Sequence, residues 1–292
     1  MVESTQSVYA ERINKVCDYI YAHLDEELSV EQLSNVASFS KYHFHRQFSE
    51  YTGIGVFKYI QLLRLKRASY QLVFNEHCRI IDIALDAKFE NPESFSRAFK
   101  KIFGQTPTEF RKEPGWASWN EKYHFNTTKV DKIMDIATDI KVVEFAETKV
   151  AVLEHRGPHT LLNDSVSSFI SWRKESKLSP VQTCQTFGVA YDDPKTTEPE
   201  KFRFDICGTI HEDVPENPQG VITKIIPGGR CAIVRHHGSH DNIDSKVYFL
   251  YGKWLPDSDE ELRDFPCYFQ YLNFFPEVAE HELITDIYLP LK

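Results

Sequence analysis

At 292 residues the chain exceeds what one core usually fills, and its length points to about two domains. With 41% hydrophobic and 26% charged residues it is not a disordered tail, and no apolar run approaches the ~20 residues needed to cross a bilayer. The net charge of −9 disfavours a polyanionic partner only until it is divided: residues up to Glu113 hold 15 basic and 15 acidic side chains, leaving room for a local basic face.

The N-terminus, MVESTQSVYAERINKV, has no basic start followed by an apolar stretch, so export is not expected. The six cysteines (Cys17, Cys78, Cys184, Cys207, Cys231, Cys267) are scattered without a C-x-x-C pair. That pattern suits a reducing compartment and buried thiols better than a disulfide or zinc framework, and a cytoplasmic location is expected.

The first part of the chain contains a repeat. QLSNVASFSKYHFHRQFSEYTGIGVFKYI recurs as DIALDAKFENPESFSRAFKKIFGQTPTEF. Leu33, Ala37 and Phe39 match Ile83, Ala87 and Phe89 at an offset of 50; Phe44, Arg46, Phe48, Gly53 and Tyr59 match Phe95, Arg97, Phe99, Gly104 and Phe110 at 51. Each copy reads as a short helix, a tight turn and a second helix, with Ser40 and Asn91 suited to N-caps and Pro92 to the first helical position. The pairs Phe44/Phe48 and Phe95/Phe99 face a core, which turns His45 and Arg46, or Ser96 and Arg97, outward.

Between the copies, Phe57, Ile60, Leu63, Ala68 and Leu72 fall at helical spacing. Some 19 residues at 1.5 Å each make a rod of roughly 28 Å. That is close to the ~34 Å between successive major grooves on one face of B-DNA. A rod of this length can set both second helices into adjacent grooves.

EPGWASWNEKYHFNTTKV breaks the pattern and reads as a linker, with Pro114–Gly115 at the boundary. Beyond it VAVLEHRGPH (150–159) recurs as CAIVRHHGSH (231–240) at an offset of 81. Each copy is strand-like, stops at Gly and leads to a helix around Trp172 or Trp254. TFGVAYD, FRFDICGTI and ITDIYLPL are further strand candidates. Two such halves folded together leave a cleft at their pseudo-twofold junction, a common place for a small ligand.

The first ~113 residues resemble the AraC/XylS family DNA-binding domain through LSVEQLSNVASFSKYHFHRQFSEYTG, YIQLLRLKRA and IIDIALDAKFENPESFSRAFKKIFGQTPTEFR. Residues 138–292 resemble a gyrase-inhibitor-like effector-binding domain through YDDP, IPGGRCAIVRHHGSH, GKWLPDSDEELRDFPCYFQYLN and IYLPLK. Together these imply a Rob-like architecture: an all-α tandem helix-turn-helix domain (1–113), a linker (114–137) and an α+β domain of two pseudo-symmetric βαβ-type halves (138–292). Two departures stand out. Ser38 and Lys88 occupy turn positions where the AraC family usually has Gly, and Phe269 stands where the effector family commonly has the glutamate that pairs with cationic drugs. A neutral or aromatic ligand is therefore expected.

The resemblance turns Tyr42, His45 and Arg46 towards DNA. Arg46 forks onto a guanine edge or a phosphate, or else braces a neighbouring helix. Asn91, Glu93, Ser94, Ser96 and Arg97 are their counterparts in the second copy. Arg97 is either a contact or a structural ion-pair residue, and Glu93 either accepts from a cytosine amino group or repels phosphate. Lys41, and Lys100 or Lys101, suit a phosphate or merely sit in solvent. In the second domain Trp172, Tyr191, Trp254, Phe269 and Tyr271 are candidates for ligand contact, against ordinary core packing. His43 and His45 point apart on a helix, and His155, His159, His236, His237 and His240 lack a matching Cys or carboxylate set, so no metal or other cofactor is expected. No Ser/His/Asp set or nucleotide loop is present, and catalysis is not expected. The expected partners are double-stranded DNA and a small-molecule effector, with RNA polymerase left open and no membrane. The alternative is a sequestering or hydrolysing protein with an accessory DNA-binding domain.

Overall fold

The computed structural model describes residues 5–75, 77–116, 140–275 and 277–292. Its contacts divide the chain into two compact units, 1–132 and 133–292. The first is helical: α1 (Thr5–Ala22), α2 (Val30–Val36), α3 (Lys41–Thr52), α4 (Val56–Phe74), α5 (Ile80–Asp86), α6 (Pro92–Phe103) and α7 (Pro107–Lys112). The repeat does not signal α1, yet Ile13, Val16, Cys17, Ile20 and Leu24 recur at helical spacing along it and just beyond, and all are buried.

Local chemistry sets the helix ends. Ser29 closes a capping box with Gln32, and the Asn91 side chain accepts the Ser94 N–H at 2.8 Å with Pro92 opening α6. Ser40 has the extended N-cap backbone but its hydroxyl makes no cap bond. Gly53 (φ 74°) and Gly104 (φ 78°) end α3 and α6 in the left-handed region.

Ser38 (φ 53°) and Lys88 (φ 60°) do adopt the left-handed conformation that the turns demand. Arg12 steadies the first turn by donating to the Ser38 carbonyl at 3.1 Å. A Cβ in this region costs about 1 kcal/mol. Lys88→Gly is therefore expected to stabilise the helical unit by about 0.5–1 kcal/mol. Thermal unfolding followed at 222 nm checks this, and an unchanged or lower midpoint would contradict it.

Each helix-turn-helix copy has its own core. The first gathers Leu33, Ala37, Phe44, Phe48 and Tyr59; the second gathers Ile83, Ala87, Phe95, Phe99 and Phe110. The Phe48–Tyr59 rings lie 5.4 Å apart at 74° and the Phe99–Phe110 rings 5.4 Å apart at 76°, so the repeat preserves side-chain geometry as well as residue type. The α4 rod spans the 19 residues expected. Phe57 departs from its expected core stripe and is 54% exposed, because Val56, Tyr59, Ile60 and Leu63 supply the buried face there. Trp116, inside the segment read as linker, is buried against Tyr70, Phe74 and Phe110. Residues 117–139, which include the remainder of that linker, lie outside the described residues.

The second unit is one antiparallel sheet of eight strands: β1 (Lys141–Phe145), β2 (Thr148–Arg156), β3 (Thr186–Ala190), β4 (Arg203–Thr209), β5 (Ile222–Ile226), β6 (Gly229–His237), β7 (Cys267–Tyr271) and β8 (Ile284–Pro290). Their order is β1-β6-β8-β7-β3-β4-β2-β5. Helix α8 (Leu162–Ser176) follows β2. Helix α9 (Asp244–Phe249) follows β6 and continues through a π turn at Leu250–Trp254. The offset of 81 found in one pair of strands holds for all four pairs, relating β1, β2, β3 and β4 to β5, β6, β7 and β8.

Each half is a βαβ unit split by an inserted antiparallel strand: β4 lies between β2 and β3, and β8 between β6 and β7. The leading strands are exchanged. β1 pairs with β6 and β5 with β2, so each repeat closes the other's edge. The halves meet at β3 and β7, where Gly188 faces Phe269, its own counterpart at offset 81.

His155 and its counterpart His236 are turn-closing groups. The His155 Nε2 lies 3.1 Å from the Pro158 carbonyl and its Nδ1 2.9 Å from the Ser165 hydroxyl; the His236 Nε2 lies 2.9 Å from the Ser239 carbonyl. A carbonyl only accepts, so Nε2 carries the proton in both rings. Burial holds the His155 pKa below its ordinary value.

Candidate nucleic-acid interface and ligand layer

Helices α3 and α6 bury Phe44, Phe48 and Thr52, and Phe95, Phe99 and Phe103, at four-residue spacing. The opposite faces are thereby committed to solvent. Lys41, Tyr42, His45 and Arg46 are exposed on α3, Tyr42 by 80%. Asn91, Glu93, Arg97 and Lys101 are exposed at or along α6, with Ser94 and Ser96 half-buried.

The roles within this set separate. Asn91 and Ser94 are engaged in the cap, the Ser94 hydroxyl donating to the Asn91 carbonyl at 2.8 Å. Glu93 in the first turn and Lys101 in the last complement the helix dipole, so both have a local role independent of any partner. Arg46 and Arg97, equivalent by the repeat, form no hydrogen bond or ion pair among the described residues. Among the described residues neither side chain braces a neighbouring helix. Two outward guanidiniums at matching places suit bidentate contact with a base edge or a phosphate.

In the sheet unit, alternation assigns the five candidate aromatics to two sides. Trp172, Trp254, Phe269 and Tyr271 share the layer between helices and sheet. Trp172 stacks on Phe169 at 5.5 Å, and Phe269, 7% exposed, stacks on Phe204 at 6.4 Å. A Cβ at Gly188 would lie 2.5 Å from the Phe204 ring and 2.8 Å from the Tyr271 hydroxyl, so those rings occupy the space over the junction. Burial pushes the Tyr271 phenol well above its ordinary pKa, keeping it neutral.

Tyr191 is not brought together with those four. It packs on the other face, among Phe187, Val189 and Tyr268. Its hydroxyl donates to Asp205 at 3.0 Å, and Arg156 and Arg203 lie 5.6 and 5.5 Å from its ring centre. Burial, reinforced by Asp205, raises the Tyr191 pKa.

Asp205, only 1% exposed, also accepts from Arg156 at 2.9 Å and Lys224 at 2.7 Å. Its counterpart Asp286 takes a bidentate pair from Arg235 at 2.7 and 2.8 Å. Sequence reasoning passed over both carboxylates. The signal was present, since they occupy equivalent places in FRFDICGTI and ITDIYLPL.

Among the described residues no group of three or more His, Cys, Asp or Glu is placed to hold a metal ion, and no helix is long and apolar enough to cross a membrane.

A helix-turn-helix domain family matches residues 33–113, and the GyrI-like small molecule binding domain family matches residues 138–292. The probable transcriptional regulator YgiV of Escherichia coli K12 is 48% identical over 157 residues, which are 54% of this chain and 98% of that protein. The uncharacterized HTH-type transcriptional regulator YbfP of Bacillus subtilis 168 is 45% identical over 103 residues, 35% of each chain. The right origin-binding protein of Escherichia coli K12 is 37% identical over 101 residues, again 35% of each. With the tandem helix-turn-helix unit in front and the duplicated sheet unit behind, the chain belongs to the GyrI-like small molecule binding domain family, here joined to an AraC-type domain in a DNA-binding transcription regulator.

Proposed function

We propose that the protein reads a specific DNA sequence with α3 and α6, and that a small uncharged or aromatic molecule held by the sheet unit modulates this in the cytoplasm. The observation that carries the DNA reading is the pair of exposed guanidiniums, Arg46 and Arg97, unengaged among the described residues and at equivalent positions on two helices joined by one rod. Gel retardation on DNA upstream of the protein's own gene tests it. Sequence-selective retention that weakens with salt is expected, and its absence would count against the regulator. Arg46→Ala is expected to weaken specific binding by about 1–3 kcal/mol. Unchanged affinity in a folded variant removes Arg46 from the interface.

The ligand proposal rests on Trp172, Trp254, Phe269 and Tyr271 sharing one layer, with a ring where the resembled family has its acid. An uncharged aromatic probe such as 1-naphthol should quench tryptophan emission saturably and shift DNA affinity. Quenching without that shift would favour sequestration over signalling.

A further inference from the structure

The two helix-turn-helix copies are not fused through a common core. The apolar cluster of the first ends at Leu63 on α4 and that of the second begins at Leu65. A groove of about 360 Å³ lies between them, lined by Leu28, Phe57 and Ile60 on one side and by Ala87, Phe89 and Ser94 on the other. Each copy is seated on the rod by its own α4 side chains, Tyr59, Ile60 and Leu63 in the first and Leu65, Ala68 and Leu72 in the second, and the open groove leaves little apolar packing directly between the copies.

Polar contacts from α4 add a direct tie between the copies. Arg64 donates to the Leu24 and Glu26 carbonyls at 3.0 and 2.7 Å, holding the turn after α1. Arg67, next along the same face and only 7% exposed, donates from one nitrogen, Nη2, in two directions. One bond reaches the Asp25 carboxylate, in the turn that leads from α1 into the first copy, at 2.5 Å; the other reaches the carbonyl of Asp86, at the end of α5 in the second copy, at 3.3 Å. That carbonyl belongs to the negative end of α5, which favours a cation there. A buried guanidinium is costly to desolvate, so its partners are held strongly.

Building on the DNA-reading function proposed above, we infer that Arg67 is the positioning residue that sets the rotational phase between α3 and α6, and with it the half-site spacing the protein accepts. One base pair of extra spacing moves a half-site by about 3.4 Å and rotates it by about 35° around the duplex. Copies locked in phase reject such a site. Copies free to turn about the rod tolerate it.

The test selects a random 40-base-pair duplex library with the full-length wild type. Dissociation constants are then measured for duplexes carrying the enriched motif pair at its selected spacing and at one base pair more or less. Wild type is expected to prefer the selected spacing by about tenfold or more. In Arg67→Met that preference should fall to near one, with affinity for a single motif unchanged. Asp25→Ala, at an exposed side chain, repeats the measurement should Arg67→Met not fold, and should show a reduced preference. A folded variant with the wild-type spacing preference overturns the inference alone. A wild type that enriches no sequence overturns the regulator proposal and this inference together.

Discussion

Phe269→Glu is expected to destabilise the sheet unit by more than about 4 kcal/mol at neutral pH. Deleting a buried phenylalanine side chain costs roughly 3–5 kcal/mol, and the charge adds a desolvation penalty. The site is 7% exposed and shared with Phe204, so no hydration reaches the new carboxylate without movement of the rings. Its pKa in the folded state would rise above the ordinary value near 4.3. The sign follows from linkage: the folded protein binds the proton more tightly, so stability is greatest below the unfolded pKa and is lost as pH rises through the folded one. Chemical denaturation of the full chain at pH 5 and pH 8 checks it. A variant as stable at pH 8 as at pH 5 would show that the carboxylate finds water or a partner. The same variant should gain thermal stability from a lipophilic cation such as tetraphenylphosphonium, and wild type should not.

Phe99→Ala is expected to cost the helical unit about 3–5 kcal/mol, a large share of the 5–15 kcal/mol that holds a typical domain. Phe99 is fully buried and sits at the centre of Phe95, Phe103 and Phe110. No neighbour can collapse into the space without breaking another of these ring contacts. Denaturant melts followed at 222 nm read the loss directly. Because the first copy has its own cluster, Phe48→Ala should produce a similar loss without involving the same rings. A cost below about 1 kcal/mol for Phe99→Ala would mean that the second core relaxes far more than large aromatic cores usually do.

Much of this was written in local pattern. The two repeats and the length of α4 could be read along the chain, because each is carried by residue spacing, and the positive-φ demand on Ser38 and Lys88 followed from the family resemblance. The side taken by Tyr191 could not. It depends on parity relative to Phe269, and parity between distant strands is fixed only once Gly188 is known to face Phe269. Arg67 was equally hidden, since the carboxylate it reaches is 42 residues away. Phe57 reads as core by helical period alone, but the neighbouring Val56 and Tyr59 carry the buried face. Strands β1, β5 and β7 were missed: β1 has no Gly or Pro turn beside it, while Pro227-Gly228-Gly229 after β5 and the segment holding β7 were read only as parts of the resemblance, and the kinship of β1 with β5 shows only in the offset of 81.

The exchanged leading strands dictate how the sheet unit responds to being cut. Cleavage between β4 and β5 leaves one fragment owning β1 through β4 and another owning β5 through β8, each with an open strand edge that its sibling was built to pair. Neither piece can satisfy its margin from its own residues, so the two should stay associated or recombine after separation. A nick that would divide a tandem array into independent modules should here leave a non-covalent heterodimer.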